Sequence, residues 1–380
     1  MKYLFSLFIF IYSTSLVHAQ YTVRIIVSAY GTNPNDEIFI AGNFNGWHPA
    51  DAAFKLKPFE GGKQMIIFNN VQAGHYEFKF TKGSWNKVET DAQGGDIENR
   101  YVDITNDTTL ELSIAGWKNL FSTQPIPNTA SANVHIIDTA FYMPQLNRYR
   151  RIWIYLPPSY LFTKNKFYPV LYMQDGQNLF NRQTAAFGEE WGVDECLDTL
   201  STQLNKECIV VGIDNDNAKR LNEYNPYDNT QYGKGEGRQY IAFIAETLKP
   251  FVDSNYRTQK DAQHTFIAGS SMGGLISLYA IVQYPNVFGA AGIFSPSFWI
   301  APQIFTDVEN AHWQKSFRLY FYAGKKESET MVTDMQKMYA IIQEKKCCTL
   351  TEVTFPLGRH SEKYWREEFD DFYRWLVKQE

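Results

Sequence analysis

From residue 133 onward, apolar runs of five or six residues alternate with longer stretches whose apolar positions recur at helical spacing. The runs at 151–156, 168–173, 208–213, 265–269, 289–293, 318–322 and 351–355 predict strands. Helices are predicted between them at 237–251, 273–283 and 333–345. Strands that are apolar throughout are buried on both faces, so this alternation implies a mostly parallel, doubly wound sheet with helices on each side. Residues 20–116 follow another rhythm. Short segments at 23–27, 37–40, 64–68, 76–80 and 109–113 alternate polar and apolar residues. Asn33-Pro34-Asn35, Gly61-Gly62, Ala73-Gly74 and Gly94-Gly95 punctuate them. That pattern predicts an all-β sandwich. Residues 117–132 hold two prolines among small polar side chains and read as a linker, leaving 133–380 as the α/β domain.

The first nineteen residues change the picture of where the chain works. Lys2 precedes an apolar run from Leu4 to Tyr12, and Val17-His18-Ala19 offers a small-residue cleavage site. The run is too short to span a bilayer, so residues 1–19 read as a secretory signal and the mature protein as exported, periplasmic or extracellular. No Cys stands at the cleavage point to carry a lipid. The net charge is −5, and losing Lys2 makes it more negative. With no basic patch, nucleic acid is excluded as a partner. Cys196, Cys208, Cys347 and Cys348 lack metal-ligand spacing, and no disulfide pairing follows from sequence. Aromatic residues are abundant at 16%, which suits core packing and equally the stacking of sugar or aryl ligands.

The chemistry concentrates in Gly269-Ser270-Ser271-Met272-Gly273-Gly274, which follows the strand at 265–269 and opens the helix at 273–283. A Gly-x-Ser-x-Gly sequence in strand–turn–helix context is a nucleophile elbow, with Ser271 at a sharp bend and helix amides facing developing negative charge. Serine needs a base to take its proton. His312 and His360 are the histidines that follow it, and His360 lies just after the last predicted strand, where the base belongs. His312 sits in a polar stretch and reads as a surface residue. The acid should follow the strand at 318–322, where Glu327 and Glu329 are both candidates to orient the imidazole. The Met272 amide is one oxyanion donor. The Gln177 amide, in the turn after the strand at 168–173, is the expected second. Asp175 in that turn could instead brace it by side-chain hydrogen bonds. No metal or organic cofactor is implied.

With these residues in place, the stretch 134–380 resembles the esterase D group of α/β hydrolases. That group includes feruloyl and acetyl xylan esterases and enterobactin-type siderophore esterases. The resemblance rests on Tyr155-Leu156-Pro157-Pro158-Ser159-Tyr160, on residues 170–180, on Gly212-Ile213-Asp214-Asn215, on residues 220–226, on the elbow, on Gly324-Lys325-Lys326-Glu327, and on Gly358-Arg359-His360-Ser361-Glu362 with Tyr364-Trp365. It implies an α/β-hydrolase fold and places the acid at Glu327 rather than Glu329. The first domain is similar to the immunoglobulin-like glycogen- and starch-binding modules, through residues 40–47, 76–80 and 83–85. That likeness implies sugar stacking on Trp47 and Trp85, with Lys79 and Asn99 on hydroxyls. Packing of the two indoles within the sandwich is the competing reading.

The expectation is therefore a secreted serine carboxylester hydrolase acting on polysaccharide-linked feruloyl or acetyl esters. A ferric-siderophore esterase is the second reading, for which Arg220 and Arg359 would have to serve an anionic complex. A carbohydrate-binding protein with an inactive hydrolase domain is the third. Phe298 and Trp299 are candidates to wall an aryl pocket, or simply core and surface. The partner is thus a polysaccharide or an aryl or acyl ester, and the sequence leaves the oligomeric state open.

Overall fold

The computed structural model describes residues 20–32, 36–121, 126–186, 188–313, 316–346 and 348–378. Residues 1–19, expected to be a secretory leader, the Asn33-Pro34-Asn35 turn signal and Cys347 lie outside the described residues. The chain divides into two compact units, one ending at Thr123 and the other beginning at Gln124.

The first unit contains β1 (Gln20–Ala29), β2 (Phe39–Gly42), β3 (Lys57–Pro58), β4 (Gln64–Gln72), β5 (Gly74–Thr81), β6 (Glu89–Thr90), β7 (Arg100–Ile104), β8 (Thr108–Ile114) and β9 (Gly116–Trp117), then a short α1 (Lys118–Phe121). One sheet runs β3-β4-β1-β8, a second β2-β5-β7, and β6 pairs with β9. Alternate residues of both sheets, among them Val23, Ile25 and Val27 of β1 and Phe78 and Phe80 of β5, meet in one core. Residues 117–121, expected in a linker, belong to this fold instead. Trp117 is fully buried, and the Lys82 ammonium lies 4.7 Å from its ring centroid. An indole left in an extended connector would keep its apolar area in water, and burying it in the core recovers that area. The prolines further along drew the linker boundary too early.

The second unit is built on β10 (Val134–Met143), β11 (Arg148–Tyr155), β12 (Val170–Gln174), β13 (Ile209–Ile213), β14 (Thr265–Ser270), β15 (Ala290–Phe294), β16 (Phe317–Gly324) and β17 (Cys348–Phe355). Their order in the sheet is β10-β11-β13-β12-β14-β15-β16-β17. All pairings from β13 to β17 are parallel, while β10 and β11 add an antiparallel edge. The helices are α2 (Val193–Leu204), α3 (Arg220–Glu223), α4 (Gly237–Phe243), α5 (Lys249–Asn255), α6 (Met272–Gln283), α7 (Gln303–Asn310), α8 (Met331–Glu344) and α9 (Glu362–Val377). β12, β13, β14 and β15 are buried on both faces, as their unbroken apolar runs require, while β17 at the edge is half-buried. One core joins α4, α6, α7 and α8 to one face of the sheet, and the other joins α2 and α9 to the opposite face. This is the doubly wound α/β-hydrolase arrangement. Among the described residues no helix is long and apolar enough to cross a membrane.

Ahead of β10, the strip 126–133 is clipped to this unit by acids before and within α2. Thr129 Oγ1 donates to Glu190 Oε1 (2.7 Å), Ser131 N to Asp194 Oδ2 (2.6 Å), and Asn133 Nδ2 to Asp198 Oδ1 (2.7 Å). Asp194 is fully buried. Burial pushes its carboxyl up to about 7; the Ser131 N–H opposes the rise and neighbouring Glu195 adds to it. A raised carboxyl favours folding while neutral, and that contribution fades as pH climbs from the ordinary carboxylate range through 7. Asp194→Asn keeps an acceptor for Ser131 and cannot ionise. It is expected to raise stability by on the order of 2 kcal/mol at pH 8 and by nearly nothing at pH 4. Thermal unfolding at the two pH values checks this; equal gains at both would contradict it.

Candidate active site

Ser271 stands between β14 and α6 with φ 59° and ψ −122°, a conformation that costs a non-glycine residue about 1–3 kcal/mol. Backbone bonds on both sides hold it there. Its N–H donates to Phe294 O (2.9 Å), and its carbonyl accepts from Gly274 N, Leu275 N and Ser297 N, each at 3.1 Å. The bend also demands a bare backbone after it. A Cβ on Gly274 would lie 2.8 Å from the Phe294 carbonyl oxygen of the adjoining strand. The Met272 and Gly273 amides occupy the first turn of α6, where a helix supplies no acceptor of its own and its dipole favours negative charge. The Ser271 hydroxyl shares a 3.0 Å hydrogen bond with Ser297 Oγ, on the loop after β15.

The next two loops along the edge bring Glu327 and His360 together. Glu327 Oε2 is 2.7 Å from His360 Nδ1, and Glu327 Oε1 accepts from Gly324 N (2.6 Å) and Ser295 Oγ (2.7 Å). The Glu327 side chain is fully buried, while that of His360 is 30% exposed. A buried carboxylate with its oxygens occupied is fixed in direction, and the imidazole follows it. The meeting depends on backbone contact between the two loops. Lys325 N donates to Phe355 O (2.9 Å) and Lys326 N to Gly358 O (3.0 Å). A Cβ on Gly324 would fall 2.2 Å from the Gly358 carbonyl group. Trp365 supports the group from below: its Nε1 donates to Ser295 Oγ (2.9 Å), and its ring meets the His360 ring edge-on at 5.0 Å.

After β12 the chain turns sharply, with Asp175 in the left-handed region at φ 55° and residues 176–178 in a single 3-10 turn. Asp175 braces this turn, the role the sequence left open to it. Its carboxylate accepts Arg220 Nε (2.8 Å) and Nη2 (2.7 Å) together with Asn215 Nδ2 (2.6 Å). Gln177 Oε1 accepts from Asn215 N (3.0 Å), and its carbonyl from Thr184 Oγ1 (2.8 Å). The turn that carries the Gln177 amide is thus pinned at three points on the same sheet edge.

Residues 144–376 match the family model described as putative esterase. The chain belongs to that family. It is a carboxylic ester hydrolase. The uncharacterized protein YbbA of Bacillus subtilis is 28% identical over 244 residues, which is 60% of this chain and 92% of YbbA. The enterobactin esterase FES of Shigella flexneri, solved with enterobactin, superposes with a TM-score of 0.55 at 17% identity, covering 90% of this chain and 87% of its own. A ferulic acid esterase superposes at 0.52 with 20% identity, covering 64% and 98%. At these identities the two structures speak to the fold.

In this esterase His312 and Glu329, the alternatives weighed from sequence, are exposed. The sequence reading missed Ser295, Ser297 and Trp365. Ser297 bonds Ser271 through its N–H and its hydroxyl, Ser295 donates to Glu327, and Trp365 holds Ser295 while its ring meets His360; Ser-Pro-Ser after a strand is no motif. In the first unit, Trp47 and Trp85 are both half-buried, with ring centroids 6.3 Å apart at 42°. Lys79 follows on β5, its ammonium held below the ordinary lysine range by burial, against the pull of Asp96, Glu89 and Glu98. Asn99 Nδ2 donates to Glu77 Oε2 (3.2 Å).

Because backbone rather than a pliable side chain opposes it, Gly324→Ala must part the loops that hold Glu327 and His360. The esterase should keep its secondary structure, lose about 1–3 kcal/mol of stability, and lose at least about tenfold in kcat on a short acyl ester. Retention of full kcat would show that this close approach does not set the geometry.

Proposed function

We propose that the chain is an exported serine esterase that cleaves acyl groups from polysaccharide, of the feruloyl or acetyl xylan kind. The observation that carries the reading is the buried Glu327 fixed against His360 Nδ1, two loops along the sheet edge from the bend that strains Ser271. Ser271 Oγ attacks the ester carbonyl while His360 takes its proton. Glu327 holds the imidazole in one tautomer and stabilises its cation. The Met272 and Gln177 amides receive the oxyanion. His360 returns the proton to the leaving alcohol, and water activated by the same imidazole hydrolyses the acyl-enzyme. Every step uses the chain's own groups.

Two features support a sugar-borne aryl ester. Trp299, 42% exposed, lies two residues after Ser297 and meets Tyr232 edge to face at 6.5 Å, offering an aromatic wall. Phe298 between them is buried and packs on Phe305, which makes it core. The Trp47 and Trp85 pair, with Lys79 and Asn99, supports carbohydrate binding by the first unit, since an indole offers a C–H face its partner and polar groups take hydroxyls. The leader at 1–19 supports export. A siderophore ester is the second reading, favoured by the FES likeness that extends over 90% of the chain. Against it, Arg220 commits two donors to Asp175 instead of offering them to an anionic complex.

Ser271→Ala should lower kcat on p-nitrophenyl butyrate by at least about 1,000-fold with folding intact, and a smaller loss would overturn the mechanism. Comparing kcat/KM for methyl ferulate, acetylated xylan and a catecholate triester decides the substrate. A catecholate preference would replace the polysaccharide reading. In parallel, Trp47→Ala with Trp85→Ala should weaken retention on insoluble xylan at least about tenfold, and unchanged retention would remove the sugar-binding role of the first unit.

A further inference from the structure

A buried carboxyl that the reaction above does not use lies two residues past His360. Glu362 opens α9 and is 8% exposed. Its Oε1 accepts from Asn178 Nδ2 at 3.2 Å. Asn178 ends the turn that carries the Gln177 amide and is itself 7% exposed. Its other polar atoms are engaged: Oδ1 accepts Ala186 N (3.0 Å), the carbonyl accepts Trp191 N (2.8 Å), and its N–H donates to Asp175 O (2.8 Å). An Oδ1 occupied by a backbone donor fixes which way the amide faces, so Nδ2 has to meet an acceptor at Glu362. The charged groups acting on Glu362 are Asp175 from the turn, Arg220 from α3 and His360 from its own loop.

We propose that Glu362 is a positioning residue for the esterase reaction, tying the turn that presents the Gln177 amide to the loop that presents His360 and adding its charge to the field at the imidazole. This rests on the reading of Ser271, His360 and Glu327 given above. The bond to Asn178 needs only an acceptor, which either protonation state of Glu362 provides. The effect on His360 needs the charge. Burial pushes the Glu362 carboxyl up to about 7; its own amide at the helix start resists this, Asp175 reinforces it, and His360 and Arg220 draw it back. Above that pH the carboxylate attracts the imidazolium that forms when Ser271 gives up its proton. Below it, the positioning bond remains and the attraction is lost.

The experiment measures kcat and KM of the full chain on p-nitrophenyl butyrate from about pH 5.5 to 9. Glu362→Gln keeps an acceptor for Asn178 and removes the charge. It should lower kcat severalfold at pH 8, leave KM within about twofold, and move the acidic limb of kcat/KM about half a unit to lower pH. Glu362→Ala also removes the acceptor and should lose about tenfold more. Asn178→Ala should then cost far less in the Glu362→Ala background than alone, because the two share one interaction. A wild-type kcat and pH profile for Glu362→Gln overturns the charge role. Equal cost of Asn178→Ala with and without Glu362 overturns the tie. Should the alanine variants fail to fold, Glu362→Gln decides the charge role and Asn178→Asp, which keeps the acceptor for Ala186 N and removes the donor to Glu362, decides the tie, since a wild-type kcat there overturns it. Ser271→Ala is measured alongside. If it abolishes hydrolysis while Glu362→Gln behaves as wild type, only the positioning role falls; if it retains hydrolysis, the underlying reading falls.

Discussion

Parallel strands place all their carboxyl ends on one edge, and the chemistry of this protein depends on that constraint. β12, β14, β15, β16 and β17 lie side by side in that order. The loops after them carry, in turn, Gln177, Ser271, Ser297 and Ser295, Glu327, and His360. Ser271 and Ser297, Glu327 and His360, and Asn178 and Glu362, which are 26, 33 and 184 positions apart along the chain, therefore meet through strand order. Loops at the carboxyl ends of such a sheet are the usual site of function in open α/β folds. What the individual loops add is direction, and most of it comes from main-chain bonds: Ser271 to Phe294, Lys325 to Phe355 and Lys326 to Gly358.

The same edge concentrates buried polarity. Glu327, Glu362 and Asp175 are acids largely removed from water. Burying a charge is costly unless it is paired or hydrogen-bonded. The structure resolves this differently for each. Asp175 has a guanidinium and an amide, Glu327 a serine, a backbone N–H and an imidazole, and Glu362 the Asn178 amide and its own N–H. Burial pushes the Glu362 carboxyl up to about 7.

The parts legible in sequence were those with local grammar. The elbow around Ser271 announces itself because glycines, strand and helix fall in fixed positions. The unbroken apolar runs announce the parallel strands of the α/β-hydrolase sheet. The edge strand β10 went unseen because His135, Asp138 and Thr139 interrupt its apolar positions and most of the strand is exposed, which leaves no apolar run. Helices α2 and α9 went unnamed although their apolar faces build one of the two cores. Trp117 was hidden by its neighbours' linker composition. Ser295 and Ser297 carried no signal, and Asn178 and Glu362 stood among the matched positions without a role, since these roles arise from contacts between segments 26 to 184 residues apart. Sequence spacing has no access to such pairings before the fold exists.

The clip on the strip 126–133 bears on how such a two-part chain can be cut and recombined. Composition alone would start an isolated catalytic fragment at 133. That cut would strip Thr129 and Ser131 from Glu190 and Asp194, leaving two acids in the interior without their donors. The natural junction for exchanging front modules lies ahead of this strip, which belongs to the esterase even though it reads as a tether.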